Sequence, residues 1–329
     1  SNPKPNQVQL QKDTPKAAEG LKTEAPEPEP ANATQTNTHV TQSIYADREG
    51  ITIVIPHGGS DRLPLLRQTL KSLQRQSKVK EIVVVEVGCV SDARASVSDL
   101  CDRYLFIQDD GPFHKSRALN TGLAIAGSEL VLWLDGDVVV PDGFLDNAVE
   151  EMQNHKLDCL IPWSQLHFLG KEDTRKALLD ESALEDATPA STFDGRKGFS
   201  CGAILVRRDF AIKWGGMREE IRGWGGEDNV WFIMAQRLGA ASGTKRKDQL
   251  LYHLYHEGSV GYEGSDPKLR NPHYSENVRV LNHFQKLRSE QALLEELPPR
   301  GHFKAPWPEE FRIALAGGTE PQEKRIQSE

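Results

Sequence analysis

Leu130-Val131-Leu132-Trp133-Leu134-Asp135-Gly136-Asp137 runs five apolar residues straight into two carboxylates. A continuous apolar run this short, with a turn signal behind it, reads as a strand buried on both faces. The two acids, one residue apart, point to the same side of such a strand. Ionised acids at the rim of a buried sheet are costly unless a cation or hydrogen-bond donors satisfy them. Paired carboxylate oxygens are what Mg2+ or Mn2+ takes, usually beside phosphate oxygens of a substrate. Asp-Gly-Asp is also ordinary turn chemistry, and that reading stands beside the metal.

Towards the N-terminus the same kind of run recurs. Ile51–Ile55 ends at Pro56, Ile82–Val85 ends in Glu86-Val87-Gly88, and Tyr104–Ile107 precedes Gln108. Between them Leu63, Leu66, Leu70 and Leu73 repeat at helical spacing behind Pro64, Ser116–Ala126 reads as a helix, and residues 92–101 carry a weaker helical signal. Strands alternating with helices predict an α/β fold, a mostly parallel sheet with helices on both faces. Ligands of such sheets bind beyond the carboxyl ends of the strands. That rule selects His57–Arg62, Glu86–Gly88, Gln108–Lys115 and Asp135–Asp137. Neither G-x-G-x-x-G nor G-x-x-x-x-G-K-S/T follows the first strand, which disfavours dinucleotide-dependent dehydrogenases and P-loop NTPases.

Towards the C-terminus a helix is expected from Asp142 to Asn154, a strand over Cys159–Trp163, and a strand over Phe199–Val206. Residues 164–197 read as polar and irregular, with a weak helix near Arg175–Leu184. Gly223-Trp224-Gly225-Gly226-Glu227-Asp228 then sets glycines and an indole against two acids at the start of a helix reaching Leu238. Glycines allow close backbone approach to a ligand, and a helix N-terminus favours the negative charge. The stretch fits a substrate-closing site; it also fits a tight turn with an acidic first turn. His253 and His256 end a short apolar run from Leu250. Imidazoles three apart can converge on one cation from a turn or helix but not from a regular strand; surface or packing histidines are the plainer reading. A helix over Ser275–Leu297, with Val278, Leu281, Phe284 and Leu287 as its buried stripe, closes the domain before Pro298.

Composition sets the limits. Residues 1–49 hold few large apolar side chains and include Pro26-Glu27-Pro28-Glu29-Pro30, so they read as a disordered tail or linker. A net charge of −8 argues against nucleic acid as a partner. No apolar run is long enough for a transmembrane helix in this chain. The chain starts at Ser1 rather than Met, so an upstream anchor or domain is allowed for. Without an anchor, a cytoplasmic or membrane-peripheral bacterial enzyme is favoured; with one, the Golgi lumen is possible. Cys89, Cys101, Cys159 and Cys201 are irregularly spaced and read as buried free thiols, and Asn32-Ala33-Thr34 is a glycosylation sequon.

Taken together, Phe113-His114-Lys115-Ser116-Arg117-Ala118-Leu119-Asn120, Asp135-Gly136-Asp137 and Gly223–Asp228 resemble, in the same order, the GT-A (Rossmann-like) nucleotide-sugar glycosyltransferases. The likeness spans roughly residues 50–262 and is nearest to inverting β-1,4-galactosyltransferases and chondroitin-polymerase-type domains. Gly202-Ala203-Ile204-Leu205-Val206 followed by Trp214-Gly215-Gly216 looks like that family's approach to its acidic motif. The resemblance implies a metal-dependent inverting transfer of sugar from a UDP-sugar donor to a glycan or glycoconjugate acceptor. Asp137 and His256 would hold Mn2+ or Mg2+, with His253 where the galactosyltransferases use methionine. Asp135 would contact ribose or donor sugar; Phe113, Lys115 and Arg117 the uracil and phosphates; Arg62 a phosphate; and Glu86 the uridine. Trp224 would close over donor and acceptor, Glu227 contact a sugar, and Asp228 act as the base. Asn229 departs from the family, which usually has another acid there.

The expected organisation is a tail over 1–49, a GT-A domain over 50–297 (a nucleotide-sugar half to 140, then an acceptor half) and a tail over 298–329. Two other classes share some of these features. A sugar-nucleotide pyrophosphorylase would need a Gly-rich, Arg-containing loop after its first strand, which His57–Arg62 only faintly suggests. A catalytically silent carbohydrate-binding module would have no use for both a metal pair and a base.

Overall fold

A computed structural model describes residues 36–40, 50–195, 202–223, 225–244, 249–257 and 271–297. Trp224, Cys201, the sequon, the tail beyond 297 and most of residues 1–49 lie outside that set.

The chain opens with strand β1 (Thr36–Val40), then β2 (Ile51–His57), helix α1 (Leu63–Gln74), β3 (Val79–Gly88), α2 (Arg94–Val97), β4 (Arg103–Gln108), α3 (Lys115–Ile125) and β5 (Leu130–Leu134). It continues through β6 (Val138–Val139), α4 (Phe144–Asn154), β7 (Cys159–Ile161), β8 (Gln165–Leu169), α5 (Lys171–Leu179), β9 (Pro189–Asp194), β10 (Ala203–Arg207) and α6 (Arg208–Lys213). Last come α7 (Glu227–Arg237), β11 (Ser242–Thr244), β12 (Leu250–His253), α8 (Tyr274–Lys286) and α9 (Glu290–Glu295).

The main sheet has the order β1-β4-β3-β2-β5-β10-β7-β11. Its core, β4-β3-β2-β5, is parallel, and β10 runs antiparallel to both β5 and β7. The chain passes from β2 outward to β3 and β4, then returns to place β5 on the other side of β2. This reversal opens a crevice beyond the carboxyl ends of β2 and β5. It brings the His57–Arg62 turn beside Asp135–Asp137. Every residue of β2 and of β5 is buried, as their unbroken apolar runs require. Pro56 lies inside β2, not after it, but past Val54, the last residue paired with β5, so its missing N–H costs no ladder bond on that side. Helix α3 packs flush on the sheet at Gly122, where a Cβ would stand 2.1 Å from Val54.

Four expectations are corrected. Thr36–Val40, inside the supposed tail, pairs antiparallel with β4 at the sheet's edge. Within 164–195 the chain is not irregular: β8 and β9, with α5 between them, pair antiparallel in a second sheet of order β6-β12-β8-β9, and residues 196 and 197 lie outside the described residues. Leu166 is flanked by the less buried Gln165 and His167, but Phe168 and Leu169 are both buried, and β8 takes its ladders from β9 and from β12, each distant along the chain. The closing helix breaks at Leu287–Ser289, where Ser289 caps α9 by accepting from the Ala292 amide at 3.1 Å. Cys101 and Cys159 are buried thiols, but Cys89 is exposed.

Candidate active site

The short strand β6 explains the first cluster. It leaves Asp137 directly and pairs antiparallel with β12, setting Val138 opposite His253. The Leu254 amide then donates to the Asp137 carbonyl at 2.9 Å. The strand ends at His253, and the Tyr255 amide, donating to Thr174 Oγ1 at 2.7 Å, fixes the chain as it turns away. His256 thereby comes back to the same carboxylate. The imidazoles converge because the strand stops between them, which is the geometry the spacing required.

His253 Nε2 lies 3.6 Å from Asp137 Oδ1, and His256 Nε2 lies 3.1 Å from Asp137 Oδ2. One ligand atom from each residue can be chosen so that all lie within 4.8 Å of one another. His256 Nδ1 stands 3.0 Å from the Glu257 carbonyl, which fixes the ring with Nε2 towards Asp137. Burial lowers the His253 pKa, against the pull of Asp137. Burial would raise Asp137, but His253, His256 and Arg62 outweigh it and hold the carboxylate below its usual range. Asp137 Oδ1 is buried with no hydrogen-bond partner. An orphaned carboxylate oxygen facing two imidazoles fits a divalent cation. Asp137, His253 and His256 are the residues that would hold it.

Arg62 closes this cluster from the β2 side, its Nη1 lying 3.2 Å from Asp137 Oδ2. His57, at the end of β2, is buried with Nε2 unpartnered. Burial first, then the Arg62 charge, pushes its pKa down to about 4, so the ring is neutral. His57 appears in the sequence only as a turn residue, and its burial follows from a strand that runs past the proline.

A second acidic group stands across the site. Helix α7 starts after Gly226, whose φ of 101° places it in a region that disfavours side chains. The Gly225 amide donates to Glu227 Oε2 at 3.2 Å, and Glu227 is buried. Lys115 Nζ reaches Glu227 Oε1 at 3.1 Å and Asp135 Oδ1 at 2.7 Å. Asp228 is partly buried and accepts from the Asn229 amide at 2.8 Å. Burial and then the Glu227 charge push its pKa up to about 7, against the pull of Lys115. Burial likewise raises Asp135, against Lys115. Trp133, on β5 two residues before Asp135, meets Trp231 of α7 edge to face, so the two acidic segments share one core contact.

The remaining expected residues divide. The Gly202 carbonyl accepts from the Asp135 amide at 3.0 Å, fixing the acidic turn through its backbone. Phe113 is half-buried against Gly58, where a Cβ would approach its ring to 2.5 Å. Arg117 Nη1 turns to Asp109 Oδ2 at 3.6 Å. Glu86 is buried and accepts from the Asp92 and Ala93 amides, each at 3.2 Å, and from the Tyr104 hydroxyl. A uridine contact through Glu86 would displace one of these donors. Asn120, quoted only as part of a motif, proves to be a clamp. Its side chain accepts from the Met217 amide at 2.7 Å and donates to the Met217 carbonyl and Glu219 Oε1, both at 2.8 Å.

Residues 52–215 match the model of Glycosyl transferase family 2. No curated protein matches the chain in sequence. Among solved structures, a Pyrobaculum calidifontis mannosyltransferase in complex with GDP-Man and Mn2+ is 17% identical, with a TM-score of 0.49 over 84% of this chain and 74% of that one. A Drosophila β1,4-galactosyltransferase 7 catalytic domain, in complex with xylobiose, is 17% identical, with a TM-score of 0.43 over 67% of this chain and 76% of that one. S. aureus TarS, in complex with UDP, is 16% identical, with a TM-score of 0.44 over 72% of this chain and 70% of that one. All three are distant likenesses and assign no ligand to this chain.

Proposed function

Since the chain is a nucleotide-sugar glycosyltransferase with a family 2 domain over residues 52–215, we propose that it moves a sugar from a UDP-sugar to a hydroxyl of a glycan acceptor with inversion. Asp228 is the base and Mn2+ or Mg2+ the cofactor. The observation that carries this reading is that Lys115 ties Glu227, the neighbour of Asp228, to Asp135, two residues from the Asp137, His253 and His256 cluster, and burial there pushes the Asp228 pKa up to about 7.

The acceptor oxygen forms a bond to the anomeric carbon as the bond from that carbon to the β-phosphate oxygen breaks. The electron pair leaves with the nucleoside diphosphate, and the acceptor's proton passes to Asp228. A positioned carboxylate of matched pKa contributes about 10²–10⁴-fold to such a step. The divalent ion, when bound, supplies Lewis-acid stabilisation of the departing diphosphate. Arg62 adds a fixed positive charge beside Asp137, suited to a phosphate oxygen. Trp224 and its flanking glycines are the proposed cover that keeps water, a competing acceptor, from the reacting carbon. UDP as the nucleotide rests on the likeness carried by Phe113–Asn120.

A panel of UDP-, GDP- and dTDP-sugars with Mn2+, scored by nucleotide release in the presence of glycan acceptors, tests the donor. Asp228→Asn should abolish transfer while binding UDP and Mn2+ as the wild type does. Turnover comparable to wild type in that variant would remove Asp228 from the mechanism.

A further inference from the structure

Lys115 joins the site's two acidic segments. Its ammonium lies 2.7 Å from Asp135 and 3.1 Å from Glu227, and its side chain is only 14% exposed. The three residues come from different elements: the turn after β5, the first turn of α3 and the first turn of α7. A lysine in a helix's first turn works against the helix dipole, so its place there needs another cause. Two carboxylates from separate segments, Glu227 buried and Asp135 partly so, supply one, because they repel each other unless a cation stands between them.

We propose that Lys115 is a positioning residue that pins the Glu227–Asp228 turn to Asp135, rather than a ligand of the nucleotide's phosphates. This rests on Asp228 as the base. The groups facing Asp228 are Glu227 on its own helix, Lys115 from α3, Asp135 from the β5 turn and the Asn229 amide. Of these, the Lys115 charge and the Asn229 amide favour the ionised base, and the two acids oppose it. Removing the ammonium therefore does two things. It frees the start of α7 from β5, and it leaves Asp228 protonated to higher pH.

The test uses the full chain as wild type, Lys115→Met and Lys115→Arg. Three quantities are read: UDP affinity with Mn2+ by calorimetry, transfer rate against pH at saturating donor, and the Asp228 carboxyl titration by 13C NMR, assigned with Asp228→Asn. For Lys115→Met, UDP affinity should stay within about twofold, transfer at pH 7 should fall by more than about tenfold, and the titration and the rising limb of the pH profile should both move to higher pH. Lys115→Arg, which keeps the charge, should restore most of each. The proposal is overturned if UDP affinity falls in step with transfer while the Asp228 titration stays at its wild-type position. Should Lys115→Met fail to fold, Lys115→Gln carries the same readouts. A wild type that transfers from no donor would sink the glycosyl-transfer reading alone, since the titration needs no substrate and still decides the role of Lys115.

Discussion

Trp133 and Trp231 meet edge to face with ring centroids 5.1 Å apart and planes at 81°. Trp133 precedes the Asp135–Asp137 turn on β5, and Trp231 stands one helical turn after Glu227 on α7. Both indoles are almost wholly buried, and neither N–H has a hydrogen-bond partner, so the contact is packing alone. Trp231→Ala should cost about 3–5 kcal/mol by urea denaturation. Trp231→Phe, which keeps a ring to fill the space, should cost much less. Equal losses for the two variants would mean that the aromatic contact does not hold α7 to β5.

Asp228 gives a pH dependence with a definite sign. Its folded pKa of about 7 lies above the usual 3.8, so the folded chain holds this proton in a range where the unfolded chain has lost it. Its contribution to stability is therefore greatest below pH 3.8 and is lost as pH rises through 7. Asp228→Asn should be more stable than wild type at pH 8, and the advantage should vanish near pH 4; chemical denaturation at both pH values checks this. Transfer, needing the ionised base, should rise through pH 7 with a single ionisation.

Metal binding should follow the three converging side chains. Asp137→Asn should abolish Mn2+ binding measured by electron paramagnetic resonance, and His256→Ala and His253→Ala, each removing one of the three converging ligand atoms, should each weaken it strongly. Chelation should stop transfer, and added Mn2+ should restore it. The fold should survive chelation, because β6–β12 pairing, not the ion, sets Asp137 against His253.

Asn120 predicts a local effect. Asn120→Ala removes the partners of the Met217 amide and carbonyl in a buried place, at about 1–3 kcal/mol for each group left unsatisfied. Amide hydrogen exchange at Met217 should accelerate well beyond that in the strands of the main sheet. Unchanged exchange there would show that the segment is held by something else.

Much of the parallel sheet was legible because β2, β3, β4 and β5 are apolar runs, and the α3 boundary was read within a residue. The Asp135–Asp137 turn was legible for a related reason: acids directly after Leu134 are conspicuous. What stayed hidden depends on distant partners. Thr36–Val40 has no core pattern and becomes a strand through β4. The β8–β9 pairing joins strands on either side of α5, and β9 has too few apolar residues to announce itself. His253 and His256 were ambiguous because spacing alone does not say where β12 stops. Lys115 was assigned to phosphates by likeness, and only its place between Asp135 and Glu227 shows what it touches in this chain.

The position of β10 between β5 and β7 has a consequence for anyone dividing the protein. β5 belongs to the proposed nucleotide half, whereas β10 and β7 belong to the proposed acceptor half, and five β10 residues from Ala203 to Arg207 pair with β5. A polypeptide ending at residue 140 would expose the whole β5 edge and lose Trp231 from its core. Neither half is then a portable module, and grafting one onto a relative should give insoluble protein. Co-expressed as separate chains, the two pieces should instead find each other through that strand pair, so recovery of transfer would serve as a complementation reporter.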